Sequence, residues 1–260
     1  MKESPRFPER IDRSMPATSP SLFRGPKAWF RRRLTELRRR LRPAVPWVAV
    51  LGPDGSGKSS VLDVLERRFR EKADVRTVRG YWRPGVLLPW EDEGPNTNPH
   101  GEDPRGPVVS AVKVFFLMTD WLLGYWTHGG YADQRARRRL VLFDRHYLDL
   151  LVDPRRYRFE RPMWLARWAA RFVPTPDILV VLDAPAEVLQ QRKQEVSFEQ
   201  TARLRVGYRA LAARLPNAHV VDAAQPLDAV VDRVEHLILD HADAPILKGP
   251  LPKQSKDSTT

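Results

Sequence analysis

Short apolar runs separated by amphipathic stretches organise most of the chain. "WVAVL" at 47–51, "LVLFD" at 140–144 and "ILVVLD" at 178–183 are almost wholly apolar and rich in β-branched residues. Runs of this kind suit strands covered on both faces. Weaker runs near 74–79 and 218–222 bring the predicted strands to five. Helical periodicity fills the intervals near 58–72, 108–127, 161–172, 185–192, 198–214 and 226–240. The alternation predicts an α/β fold, a five-stranded parallel sheet flanked by helices. The Pro/Gly-rich stretch 80–107 reads as a surface loop of a length that usually serves function or lacks order. No internal repeat is visible.

The ends of the chain follow other patterns. Residues 1–26 are rich in Pro and Ser and predict disorder, as do residues 242–260. Residues 27–42, "KAWFRRRLTELRRRLR", place Phe30, Leu34, Leu37 and Leu41 on one stripe of a helix otherwise covered by arginine. Such a helix could lie on an anionic membrane surface or an acidic partner, or dock its stripe on its own domain. Pro43 and Pro46 end it, so 27–46 reads as basic helix plus linker and 47–241 as the folded domain.

Charge sharpens this division. The chain of 260 residues carries a formal +12, yet residues 1–46 alone hold +9. The alkalinity therefore belongs mainly to the N-terminal extension and says little about the body's substrate. With 42% hydrophobic residues a sizeable core is expected. The absence of cysteine excludes disulfides and thiolate metal sites. The apolar stretch "VVSAVKVFFLMTDWLLGYW" approaches membrane-spanning length but contains Lys113 and Asp120, and is expected to be a buried helix of a soluble domain. No charged-then-apolar leader opens the chain, so the expected location is cytoplasmic, with peripheral membrane attachment if residues 27–42 provide it.

The chemistry concentrates after the first strand. "GPDGSGKSS", residues 52–60, satisfies the spacing G-x-x-x-x-G-K-[ST] and opens an amphipathic helix. Glycines at Gly52, Gly55 and Gly57 let the backbone of Pro53, Asp54, Ser56 and Ser60 curl around phosphate oxygens, and the helix N-terminus adds positive potential. Lys58 would reach the outer phosphates of a nucleoside triphosphate, and the Ser59 hydroxyl would ligate Mg²⁺. The expected ligands are ATP and magnesium. "LVLFDRHY" ends a strand on Asp144, placed either to order the metal shell or to cap the next turn. Arg145 beside it needs an anion if buried, and an acceptor phosphate would supply one.

"GPDGSGKSS", "FDR" and "VVLDAPAEVLQQRK", each following a strand, resemble the bacterial thymidylate kinases and related nucleoside monophosphate kinases over roughly residues 47–240. The resemblance implies a mobile lid and transfer of the γ-phosphoryl of ATP to a nucleoside monophosphate, dTMP by likeness, with Mg²⁺. It implies that Asp54 contacts the acceptor's sugar. Because Gly55 stands where some members keep a catalytic arginine, it implies that Arg192, helped by Lys193, acts from a shortened lid "QQRKQE". A solvated arginine at a helix end is the alternative for Arg192. "VVDAAQP" is similar to the turn that packs on adenine. The helix 108–127 is similar to the one that pairs dimers of the family, so a homodimer is one expectation and cover by the N-terminal extension another.

The departures fall on the acceptor side. "LMTDW" keeps Asp120 but has Trp121 where the family has a phosphate-gripping arginine, "DR" is followed by "HYLDLLVDPRRYR", and "RGYWRPG" replaces the segment after the second strand. Altered polar groups imply altered acceptor choice. Arg79, Arg83, Arg145, Arg155, Arg156 and Arg158 offer cations there, and Tyr81, Trp82, Tyr147 and Tyr157 offer flat faces. The expected catalytic set is Lys58, Asp54, Arg145 and Arg192; the expected acceptor set is Asp54, Arg83, Asp120, Arg145, Arg155 and Arg156. Three functions stay open: a nucleoside monophosphate kinase, a same-fold kinase of a phosphorylated sugar or other small phosphorylated metabolite, and a non-catalytic ATP-binding regulator. Specific nucleic-acid binding is not expected, since few aromatics accompany the N-terminal arginines.

Overall fold

A computed structural model describes residues 45–73, 75–88, 106–127, 130–159 and 161–241. The disorder expected at 1–26 and 242–260, the basic helix at 27–42 and most of the 80–107 loop lie outside the described residues. Five strands, β1 (Trp47–Leu51), β2 (Thr77–Tyr81), β3 (Leu140–Asp144), β4 (Ile178–Asp183) and β5 (Ala218–Asp222), form one parallel sheet in the order β2-β3-β1-β4-β5. The helices are α1 (Lys58–Ala73), α2 (Pro107–Trp126), α3 (Tyr131–Ala136), α4 (Asp149–Val152), α5 (Met163–Ala169), α6 (Ala186–Arg192), α7 (Phe198–Ala212) and α8 (Leu227–His241), with a 3₁₀ turn at Arg155–Tyr157.

The period of two in the strands divides the core. Trp47, Ala49 and Leu51 of β1, Val141 and Phe143 of β3 and Leu179 and Val181 of β4 face a layer built from α2, α5 and α7, including Val114, Leu117, Trp121, Ala166 and Tyr208. The intervening Val48, Val50, Leu140, Leu142, Ile178 and Val180 face Val61, Leu62, Leu65 and Phe69 of α1 and Val230, Val231, Val234 and Ile238 of α8. The three central strands are therefore buried throughout, whereas β2 and β5, at the edges, are partly open.

Several boundaries differ from the sequence expectation. β2 begins three residues later than predicted. Val75 still closes the end of α1, its N–H donating to the Phe69 carbonyl at 3.2 Å, and pairing with β3 starts only at Thr77. The helix expected at 161–172 is confined to Met163–Ala169, after Pro162. The short helices α3 and α4 were not expected. Residues 80 and 81 of the expected loop belong to β2, and Pro107 already occupies the first turn of α2, where its missing N–H costs nothing.

By length and composition, the stretch Pro107–Ala136 is long and apolar enough to cross a membrane. Its α2 part nevertheless lays Val114, Leu117, Asp120, Trp121, Gly124 and Tyr125 into the interior of the fold. Trp121 stands in an aromatic cluster with Trp47, Phe143 and His146. Burial pushes the His146 imidazole down to about 4, so it is neutral in this cluster at ordinary pH.

The close approach of β2 and β3 requires Gly80. It pairs in register with Phe143, and a β-carbon there would fall 2.3 Å from the Phe143 ring. Gly80→Val is therefore expected to destabilise the fold by about 1–3 kcal/mol through overpacking. A denaturant midpoint unchanged from wild type would contradict this packing.

Candidate functional site

Parallel strands deliver their C-terminal ends to one edge of the sheet, and order β2-β3-β1-β4-β5 reverses at β1. Ligand sites of open parallel sheets form in the crevice at such a reversal. Here β1 feeds the loop 52–57 and the N-terminus of α1, and β3 feeds Asp144 and Arg145. The sequence-predicted residues of these two segments are thus brought side by side.

The loop is shaped by glycine. Gly52 has φ 146°, and a β-carbon on it would come within 2.4 Å of the Leu182 carbonyl oxygen of β4. Gly55 has φ 79°, and a β-carbon there would meet the Leu189 carbonyl oxygen at 2.7 Å and Arg192 at 3.5 Å. The C-terminal end of α6 therefore packs directly on the loop, a contact that only glycine permits.

Lys58, the first residue of α1, folds back under the loop. Its Nζ donates to the carbonyls of Gly52 at 2.9 Å and Pro53 at 2.8 Å and lies 3.4 Å from Ser56 Oγ. Burial and then the nearby Arg145 guanidinium push the ammonium down to about 8, against the pull of Asp54 and Asp144. Next to it, Ser59 Oγ donates to Asp144 Oδ2 at 2.7 Å. The other carboxylate oxygen, Asp144 Oδ1, is buried with no hydrogen-bond partner among the described residues. A buried orphan carboxylate oxygen beside a serine hydroxyl fits a small divalent cation. No cluster of three or more His, Asp or Glu able to hold a metal occurs among the described residues. This donor set is sparse, and suits an ion whose remaining ligands are phosphate oxygens and water.

On the other side of the loop, Asp54 is gripped by two arginines. Its Oδ1 accepts from Arg145 Nη2 at 2.6 Å, and its Oδ2 accepts from Arg156 Nη1. Burial alone would raise the Asp54 pKa, but the cations Arg145, Lys58 and Arg156 outweigh it and hold the carboxyl well below the usual carboxylate range. Arg145 is itself buried and adopts φ 73°, a costly backbone for a non-glycine residue. It is fixed there by its N–H, which donates to the Val50 carbonyl at 3.0 Å, and by Nη1, which donates to Asp149 Oδ2 at 2.8 Å. Asp149 also accepts hydrogen bonds from the hydroxyls of Tyr157 and Tyr208. Burial would raise its pKa too, yet Arg145 and the two tyrosine hydroxyls keep it low.

The rest of the expected acceptor set is dispersed. Asp120 is fully buried and organises the segment after β2: its Oδ1 accepts from the Leu87 N–H at 2.8 Å, its Oδ2 from the Gly85 N–H at 2.9 Å, and Arg83 Nη1 lies 3.4 Å away. Arg83 also donates to the Leu88 carbonyl at 2.7 Å. Arg155 is exposed on the 3₁₀ turn, and Arg79 pairs with Asp63 on the outside of α1. Tyr147 is buried, donating to the Ala166 carbonyl at 3.0 Å. Arg192 donates to the Ala223 carbonyl at 2.8 Å, which ties the end of α6 to the turn after β5. Trp82, with φ 49°, stacks on Tyr157 at 4.3 Å, and Lys113 Nζ sits 5.6 Å over the Trp82 ring.

Asp149 and Tyr208 were not among the sequence-predicted residues. Asp149 follows Arg145 at the helical spacing of four, which is a local signal. Tyr208 lies 59 residues from Asp149 and only the packing of α7 on α4 brings them together. No protein-family model matches the chain, and no curated protein matches it.

The depressed Lys58 ammonium is directly measurable. In NMR of protein carrying ¹³Cε-labelled lysine, one resonance, lost in Lys58→Arg, should titrate with a midpoint about 8 rather than the ordinary lysine value of about 10.4. Arg145→Gln should move it upward by removing a like charge. Uniform titration of every lysine near 10 would contradict the burial and charge arrangement described.

Proposed function

We propose that the chain is an ATP-dependent phosphotransferase that moves the terminal phosphoryl group of ATP onto the phosphate of a small acceptor, in the leading reading a nucleoside monophosphate. The observation that carries this reading is the pairing of two cationic poles at one sheet edge. Lys58 beneath the 52–57 loop is one, Arg145 with Arg156 is the other, and Asp54 stands between them.

In this reading the backbone N–H groups of the loop and the start of α1 hold the donor phosphates. Lys58 exchanges the carbonyls of Gly52 and Pro53 for phosphate oxygens. Ser59 and Asp144 would hold magnesium, which would supply charge neutralisation to the bound triphosphate. Arg145 and Arg156 exchange Asp54 for the acceptor phosphate, for which planar guanidinium groups are well matched. An ionised oxygen of that phosphate forms the new bond to the γ-phosphorus. The bond from the γ-phosphorus to the bridging oxygen breaks, and ADP leaves with the electron pair. No proton transfer by a side chain is needed. Arg192, whose helix end rests on Gly55, is the candidate to neutralise charge on the transferring group.

A phosphorylated sugar or other small phosphorylated metabolite is the second acceptor class, and one observation weakens the nucleotide reading against it. Asp120 is engaged with the backbone of Gly85 and Leu87, and Trp121 lies in the aromatic core. The helix pair that grips a nucleotide phosphate in the resembling kinases is thus replaced by structural contacts. A non-catalytic ATP-binding regulator is the third reading.

The test is ADP formation with a panel of nucleoside monophosphates and sugar phosphates. One acceptor should give Mg²⁺-dependent turnover, and Arg192→Ala should lower kcat by about 10²-fold or more while leaving ATP affinity nearly unchanged. ATP binding without acceptor-dependent turnover across the panel would favour the regulator. An unchanged kcat in Arg192→Ala would remove that residue from the mechanism.

A further inference from the structure

The sheet-distal side of α2 is unusual for a helix of this burial. Val108, Val112, Phe115 and Trp126 recur along it at helical spacing and are 75%, 64%, 47% and 48% exposed. The neighbouring α5 continues the surface. Trp168 packs edge-on against Phe115 with ring centroids 6.2 Å apart, Phe172 packs on Trp168 at 4.8 Å, and Trp164 is 67% exposed. A contiguous face of this kind on a soluble fold marks an interaction surface.

Its charge selects the partner. Arg161, Arg167 and Arg171 are exposed on and around α5, and the described residues 161–176 contain no acid, Glu160 before them lying outside the described residues. The only acid in α2 is Asp120, which is fully buried and faces away from this surface into its contacts with Gly85 and Leu87. The basic segment 1–44, with a net +9, joins the described fold at Val45. The Val45 carbonyl accepts from Arg135, which also donates to Tyr125 near the end of α2. A second copy meeting this face across a two-fold axis would bring these arginines toward their own counterparts, and among the described residues of α2 and α5 no exposed acid offsets them. A lipid surface that is apolar beneath and anionic on top complements the face in both respects, with tryptophans suited to the interface and arginines to the headgroups.

We propose that the α2–α5 face is a docking surface for an anionic lipid bilayer, seating Trp164, Trp168 and Phe115 at the headgroup boundary and Arg167 and Arg171 against lipid phosphates. The catalytic reading above is not required for this inference.

The test is flotation of the full chain with vesicles of phosphatidylcholine alone and of phosphatidylcholine mixed with phosphatidylglycerol. Binding should require the anionic lipid. It should fall about 30-fold in Arg167→Gln/Arg171→Gln, the loss expected for two headgroup cations. It should fall at least as far in Trp164→Ala/Trp168→Ala, with a cooperative melting transition well above the assay temperature retained in both variants. Absence of binding overturns the proposal, as does binding undiminished in both variants, which would assign attachment to residues 1–44 alone. A concentration-dependent dimer in sedimentation velocity that is abolished by Trp164→Ala/Trp168→Ala would also overturn it, because a second copy would then own the face.

Discussion

At the C-terminal edge of the sheet one carboxylate, Asp54, lies among three cations, two of which also face the carboxylates of Asp149 and Glu195. Asp54 is held by Arg145 and Arg156 and lies in the field of Lys58, while Asp149 and its two tyrosine hydroxyls steady Arg145 from behind. Buried charges survive only when paired, and removing one partner of such a pair typically costs about 3–5 kcal/mol. The arrangement is therefore stiff as a whole. In the function proposed above, an acceptor phosphate would take the place of Asp54 against the two arginines. The positive-φ backbones of Arg145 and Trp82 sit beside this cluster.

The rest of the fold makes that cluster possible. Three strands buried on both faces fix the ends from which Gly52, Asp144 and Asp183 emerge, and α6 closes on Gly55 from the next connection. Arg205 secures Asp183 with two hydrogen bonds at 2.8 and 3.1 Å, so this third strand end is also committed to a structural pair. Of these strand-end carboxylates, Asp144 keeps one buried oxygen, Oδ1, with no hydrogen-bond partner among the described residues, beside the Ser59 hydroxyl.

Legibility in the sequence followed local pattern: β5, partly open at the sheet edge, matches its predicted 218–222 as the buried strands match theirs. β1, β3 and β4 match their predicted ranges because strands covered on both faces must be apolar throughout. β2 was misplaced because an edge strand containing Arg79 and Gly80 carries little periodicity, and its start is decided by pairing with Leu140. α3 and α4, at six and four residues, are too short to display a helical period. The loop residues and Asp144 were legible as a local motif and a strand end. The engagement of Asp120 with backbone N–H groups, and of Asp149 with Tyr208, depends on contacts between distant segments and leaves no local trace.

The central claim is that residues 52–60 grasp the phosphates of a magnesium-bound nucleoside triphosphate. Calorimetric titration of the folded chain with ATP and magnesium tests it most directly. One site per chain is expected, weakened severely by Lys58→Ala. Absence of heat with every purine nucleoside triphosphate, from protein whose melting transition is intact, would contradict it.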